Sequence, residues 1–124
     1  MDFKAFLKEE THLPIQRDIF VSKYFVEGGQ IILWRVKGIT ESEFQRTPAK
    51  DFWAALCVAS LKRPDLKDKA LWESYGKRNA EDTLKEMLLP GEYLRLLQAV
   101  KEMNGFVQRK KMLKEKSKNA LRRA

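Results

Sequence analysis

The chain has 124 residues, with 25 Lys plus Arg against 17 Asp plus Glu, a net charge of +8 and a pI near 9.7. That length fits one domain, and an apolar content of 44% supplies a core but no membrane span. A single cysteine, Cys57, closes no intrachain disulfide, which excludes a disulfide-stapled secreted module, and its place in an apolar run reads as a buried, inert thiol.

Charge is unevenly placed. Residues 108–124 hold eight basic side chains and one acid, a net of +7, so the first 107 residues are left at +1. A near-neutral body of residues 1–107 with a basic tail over 108–124, helical or disordered, is the expected division. The apolar stretches Ile31 to Trp34 and Trp53 to Ala59 fall well short of the roughly 20 residues of a membrane helix. No secretion signal is read at Met1-Asp2-Phe3-Lys4, and the cytoplasm is the expected compartment.

In chain order, Phe3, Phe6 and Leu7 stand at helical spacing and suggest one short amphipathic turn. Residues 19–36 read as a β-hairpin: Phe20, Tyr24 and Val26 on one arm, Ile31 to Val36 on the other, with Glu27-Gly28-Gly29-Gln30 between them. Both faces of the second arm are apolar, so either helices sandwich the hairpin or its second face meets another chain. Thr40-Glu41-Ser42-Glu43 is a capping box that opens a short helix to about Arg46. From Ala49 a wide stripe of Phe52, Trp53, Leu56, Cys57, Ala59 and Leu61 predicts the most buried helix, broken by Pro64-Asp65-Leu66. Three more helices follow: Asp68 to Tyr75 with Gly76 as its cap, Asn79 to Leu88, and one opened by Pro90. The last shows Tyr93, Leu94, Leu97, Val100 and Met103 inward and ends at Asn104-Gly105. The predicted fold is α+β and mostly α: an N-terminal hairpin, about five short helices and a basic tail.

The residues offer little chemistry. His12 has no second ligand at metal spacing, Gly28-Gly29 lacks the rest of a phosphate loop, and the acid pairs sit where carboxylates complement helix dipoles. No catalytic, cofactor-binding or metal-binding residue is read, and the chain is not expected to be an enzyme. Trp53 and Trp72 fall on core stripes, whereas Trp34 sits on the two-faced strand. The tail carries Arg109, Lys110, Lys111, Lys114, Arg122 and Arg123 among its cations but no interleaved aromatic residue, so nucleic-acid binding would be phosphate-driven and non-specific. It could instead dock on an acidic protein partner or simply keep the chain soluble.

Leu61-Lys62-Arg63-Pro64-Asp65-Leu66-Lys67-Asp68, then Glu73-Ser74-Tyr75-Gly76, Leu88-Leu89-Pro90-Gly91-Glu92-Tyr93 and Asn104-Gly105-Phe106, resemble in order the XkdN-like tail assembly chaperones of phages and defective prophages of Gram-positive bacteria. Trp34 through Glu41 looks like the family's strand leading into an Ile-Thr-x-x-Glu helix start, here Ile39-Thr40-Glu41-Ser42-Glu43. Lys116-Ser117-Lys118-Asn119 resembles a divergent form of the family's ending, with acids replaced by Lys and Arg.

The resemblance implies a non-enzymatic protein of the host cytoplasm, absent from the mature virion. It would coat the tape measure protein and hold it soluble and extended while tail tube subunits polymerise. A longer, frameshifted form would recruit the tube protein. Self-association through the hairpin is a further expectation; a membrane partner is not expected, and nucleic acid is disfavoured. Trp34, Tyr93 and Phe106, at motif positions, are the groove residues expected to meet the client. Thr40, Glu43, Pro64, Asp65, Leu66, Gly76, Leu88, Leu89, Pro90, Gly91, Glu92 and Gly105 are expected mainly to shape the fold. A small nucleic-acid-binding phage protein and a structural tail component are the alternative functions.

Overall fold

Strand and helix boundaries follow from local chemistry in most of the chain, which the computed structural model describes over residues 3–7, 15–46 and 50–106. Near the start lies a 3-10 turn, Lys4–Phe6. Among the described residues five strands occur: β1 (Gln16–Ile19), β2 (Val26–Glu27), β3 (Gln30–Ile31), β4 (Trp34–Lys37) and β5 (Leu61–Arg63). Among the same residues five α-helices accompany them: α1 (Glu41–Gln45), α2 (Phe52–Ser60), α3 (Lys69–Ser74), α4 (Ala80–Met87) and α5 (Pro90–Met103).

The expected single N-terminal hairpin does not form. In its place stand two small antiparallel sheets, a three-stranded one in the order β1-β4-β5 and a two-stranded one, β2-β3. Gly28 and Gly29 both take positive φ, +58° and +79°, and make the two-residue turn between β2 and β3. The ladder cannot continue back from there, because the register changes. Val26 faces Ile31, whereas Ile19 faces Trp34, so six residues on the first arm lie opposite two on the second. The surplus folds into a turn in which the buried Ser22 Oγ accepts from the Tyr24 amide at 3.1 Å. The Val21 carbonyl accepts from the Arg95 guanidinium at 2.7 Å instead of from a strand neighbour.

The second correction concerns Leu61, which was expected on the stripe of α2. It opens β5, whose pairing with β4 sets Leu61 against Val36 and Arg63 against Arg35, with a bulge between them. Three residues before a proline carry no periodicity of their own. They become a strand because β4 offers an open edge, and the Arg63–Pro64 peptide, which is cis, then turns the chain into Leu66, fully buried. Asp65 Oδ1 accepts from the Lys67 amide at 3.0 Å in that turn.

Helix ends carry side-chain caps, at Thr40 and Asn79 as the sequence predicts and at Asp51 and Asp68 in addition. Thr40 Oγ1 accepts from the Glu43 amide at 3.1 Å, Asp51 Oδ1 from Ala54, Asp68 Oδ1 from Ala70 and Asn79 Oδ1 from Asp82. Gly76, at φ +67°, closes α3 as a Schellman motif, with Lys77 N–H bonded to the Trp72 carbonyl and Gly76 N–H to that of Glu73. Pro90 opens α5, and Glu92 Oε1 accepts from the Leu89 amide at 2.9 Å. Gly105 takes φ +87° just past the end of α5.

The core lies between the inner face of the larger sheet and the helices. Trp34 and Val36 of the central strand β4 meet Leu56, Cys57 and Val58 of α2, Leu84 of α4, and Leu96 and Val100 of α5 in one cluster. α5 buries Leu96 and Val100 at the centre of its stripe, flanked by Tyr93, Leu97 and Met103, while Leu94, expected inward, is 63% exposed. Leu94 and Leu96 are two residues apart and so project from opposing sides of a helix; only one can face the sheet.

Trp34 is 2% exposed and its ring meets Phe25 at 5.7 Å between centroids. Trp34→Ala should therefore cost about 3–5 kcal/mol, read as a lower urea midpoint at unchanged slope. The Cys57 thiol, pushed up to about 12 mainly by burial and next by the nearby Asp51 carboxylate, should resist alkylation in the folded protein and react only on unfolding.

Candidate functional site

Two segments far apart in sequence meet at the C-terminal end of α5. β4 leaves the sheet at Gly38, whose amide donates to the Ile15 carbonyl at 2.9 Å. At Gly38 the backbone passes directly under α5: a Cβ there would lie 2.8 Å from the Met103 carbonyl oxygen, so only glycine fits. The next residue is held by Asn104, whose Oδ1 accepts from the Ile39 amide at 2.9 Å. Asn104 Nδ2 donates to Ser60 Oγ at 3.0 Å and to the Val100 carbonyl at 2.9 Å. One side chain thus joins the strand exit, the end of α2 and the end of α5.

This junction leaves a cleft of about 530 Å³ lined by Ile39, Thr40, Glu41, Phe44, Phe52, Leu56, Asn104 and Phe106. Leu56, only 2% exposed, lies at its base, while Phe52 and Phe106 are each 45% exposed. Four aromatic rings form a continuous edge-to-face array: Phe44 to Phe52 at 4.9 Å, Phe52 to Trp53 at 4.8 Å and Trp53 to Phe106 at 5.3 Å. Lys101 Nζ stands 4.3 Å from the Trp53 ring centroid, a cation over an aromatic face. Apolar walls with a small number of polar groups at the rim, Thr40, Glu41 and Asn104, suit an apolar side chain or two from another molecule.

Phe52 is positioned by the cap of its own helix. Asp51 receives the Ala54 amide and, on its other oxygen, the Lys85 ammonium from α4. The Lys85 hydrogen bond, followed by that from Ala54, holds the Asp51 carboxyl below the usual carboxylate range. Asp18 on β1, bound by Arg35 of β4, is lowered for the same kind of reason.

The expected client-binding residues are dispersed. Trp34 lies in the core with no surface to offer. Tyr93 packs against the core from α5, and burial pushes its hydroxyl up to about 12. Phe106 alone of the three lines the cleft. Arg109, Lys110, Lys111, Lys114, Arg122 and Arg123 lie outside the described residues. Of the motif positions, Thr40 caps α1 at the cleft rim and Gly105 turns the chain toward Phe106. Glu43 is exposed on α1. Leu66, Leu88 and Glu92 are buried, whereas Leu89 and Gly91 are exposed around Pro90. Sequence reasoning did not single out Phe44 or assign a partner to Asn104, and it took Phe52 as core. Local periodicity carries no signal of which edge of a stripe a neighbouring helix leaves uncovered. Among the described residues no group of three or more His, Cys, Asp or Glu could hold a metal ion, and no helix is long and apolar enough to cross a membrane.

Asn104→Ala would strip the partner from the Ile39 amide and from the fully buried Ser60 hydroxyl, and should cost about 1–3 kcal/mol in denaturant unfolding. Asp51 and Asp18 have folded pKa values below the unfolded value of about 3.9. Their contribution is full above that value and is lost as pH falls through the lower folded values. Melting temperature should hold steady above it and drop below it, and Asp51→Asn should flatten part of that drop.

The family model for the phage XkdN-like tail assembly chaperone protein matches residues 45–120, more than half of the chain. Among solved structures, the crystal structure of the protein YqbN is similar at a TM-score of 0.76 and 27% identity, over 86% of this chain and 98% of that one. No curated protein matches the chain. The ordered motifs, the junction they build and the extent of the family match together place this chain in the XkdN-like tail assembly chaperone family of phages.

Proposed function

We propose that this chaperone binds the tape measure protein and keeps it soluble and extended while the tail tube polymerises, taking apolar side chains of a client helix into the Phe44/Phe52/Phe106 cleft. The observation that carries the reading is the cleft itself: two aromatic rings nearly half exposed over an apolar base, at the place where two family motifs converge. A tape measure segment presents apolar helical stripes until the tube encloses it, and a helix-in-groove contact matches that geometry. Each contact is small. A cleft of about 530 Å³ accepts only a few side chains, so single-site affinity is modest and retention comes from many copies along one extended client. Weak single contacts also allow release, copy by copy, as the tube advances. In this reading the protein acts in the host cytoplasm and leaves before the virion is complete.

Co-expression with the tape measure protein of the same phage is the direct test. Soluble yield of the client should rise and the two should co-purify, while Phe44→Ala/Phe106→Ala should lose co-purification without losing the fold. No rise in yield and no complex with the unaltered chain would remove the proposal. Mass spectrometry of finished particles should find the chain absent; its presence would make it a structural tail component instead.

A further inference from the structure

The outward face of the larger sheet and its β2-β3 extension carries a second pattern. Alternation along the chain sends Phe25, Ile32, Trp34 and Val36 inward, all four half-buried or buried, and leaves Tyr24, Val26, Ile31 and Leu33 outward. These four are 63%, 53%, 46% and 42% exposed, and Val26 pairs directly with Ile31. The same face continues into charge. Arg35 and Arg63 are cross-strand partners, and Asp18 on β1 lies opposite Arg35. Asp18 binds Arg35 through both oxygens, at 2.7 and 3.2 Å, and sits 3.5 Å from Arg63. Two guanidinium groups therefore share one carboxylate, and Lys37, opposite Gln16, adds a further cation. α5 covers the inner face of this sheet, whereas Asp18, Arg35 and Arg63 keep 38–45% of their side-chain surface.

We infer that this face is a second docking surface, separate from the aromatic cleft, for a helix of another protein that is apolar over its first turns and acidic beyond them. Charge complementarity selects the occupant. A second copy of this chain would bring Arg and Lys against Arg and Lys, at a like-charge cost. A nucleic acid would meet Asp18 in the middle of the cationic group and aliphatic side chains where bases need aromatic platforms. A carboxylate-bearing helix meets surplus positive charge that Asp18 has already oriented, and lays its apolar turns on Val26, Ile31 and Leu33. From Ile31 at the end of β3 through β4 to Lys37 the chain spans at most roughly 20 Å, the length of about 13 helical residues.

The test titrates the 15N-labelled full chain with a synthetic helical peptide of that length, Leu-striped at one end and Glu-rich at the other, beside a counterpart with Lys in place of Glu. Amide shifts should cluster at residues 24–37 and at Arg63 with the acidic peptide, and Lys37→Glu/Leu33→Ser should weaken binding by about tenfold. Arg35→Glu/Arg63→Glu serves as a second variant if it folds; the first pair leaves the Asp18 ion pairs intact. Equal binding of the Lys peptide, shifts confined to the Phe44/Phe52/Phe106 cleft or to residues 107–124, or a single-stranded oligonucleotide shifting the same sheet amides would each overturn the inference. None of these outcomes bears on tape measure binding at the cleft.

Discussion

Asn104 is the constraint on which the candidate site depends. Its carboxamide makes three hydrogen bonds, to the Ile39 amide, the Ser60 hydroxyl and the Val100 carbonyl, and in doing so fixes three elements at one point. The strand exit can approach α5 closely enough for this only because Gly38 has no Cβ to strike the Met103 carbonyl. With those elements pinned, α1 starts at Thr40 beside α2, and Phe44 and Phe52 come edge to face. Phe106 follows two residues after Asn104 and completes the wall. A half-buried amide with all its partners satisfied favours one arrangement, because any shift of one element orphans a polar group elsewhere.

The central strand does the corresponding work for the body of the domain. β4 pairs on both edges, with β1 and β5, and its inward residues Trp34 and Val36 enter the core while its outward residues carry charge. Both of its faces read as apolar in the linear sequence because Ile31 and Leu33 precede it on the outward side. The break at residues 32–33 separates these roles: apolar on the outside before it, Arg35 and Lys37 after it. A chaperone gains from such a division, since apolar surface is shown in limited patches framed by charge and does not become a long, flat, sticky edge.

On the proposed reading, the same division lets a small domain handle a long client. Half-exposed apolar surface such as Phe52 and Phe106 makes each proposed contact small, so the proposed effect rests on number. Rigid support comes from partly buried hydrogen bonds and capped helix ends, which keep Phe52 and Phe106 in place while half exposed.

Most helix starts and stops are legible from the sequence alone. Thr40, Asn79, Gly76 and Pro90 act on residues within a few positions of themselves, so the chemistry of an end is written beside it, whereas the Asp51 cap of α2 is not among the ends the sequence reading identifies. The buried nature of α2 followed from the width of its stripe, and the family followed from ordered motifs whose spacing reflects those same ends. Tertiary structure decided the rest. The six-against-two register between the hairpin arms, the conversion of Leu61–Arg63 into a strand and the choice of Leu96 over Leu94 all depend on partners tens of residues away. Ile39 and Asn104, 65 residues apart, become neighbours only when the core closes. Local propensity cannot encode that proximity, because it arises from which apolar faces compete successfully for the same interior.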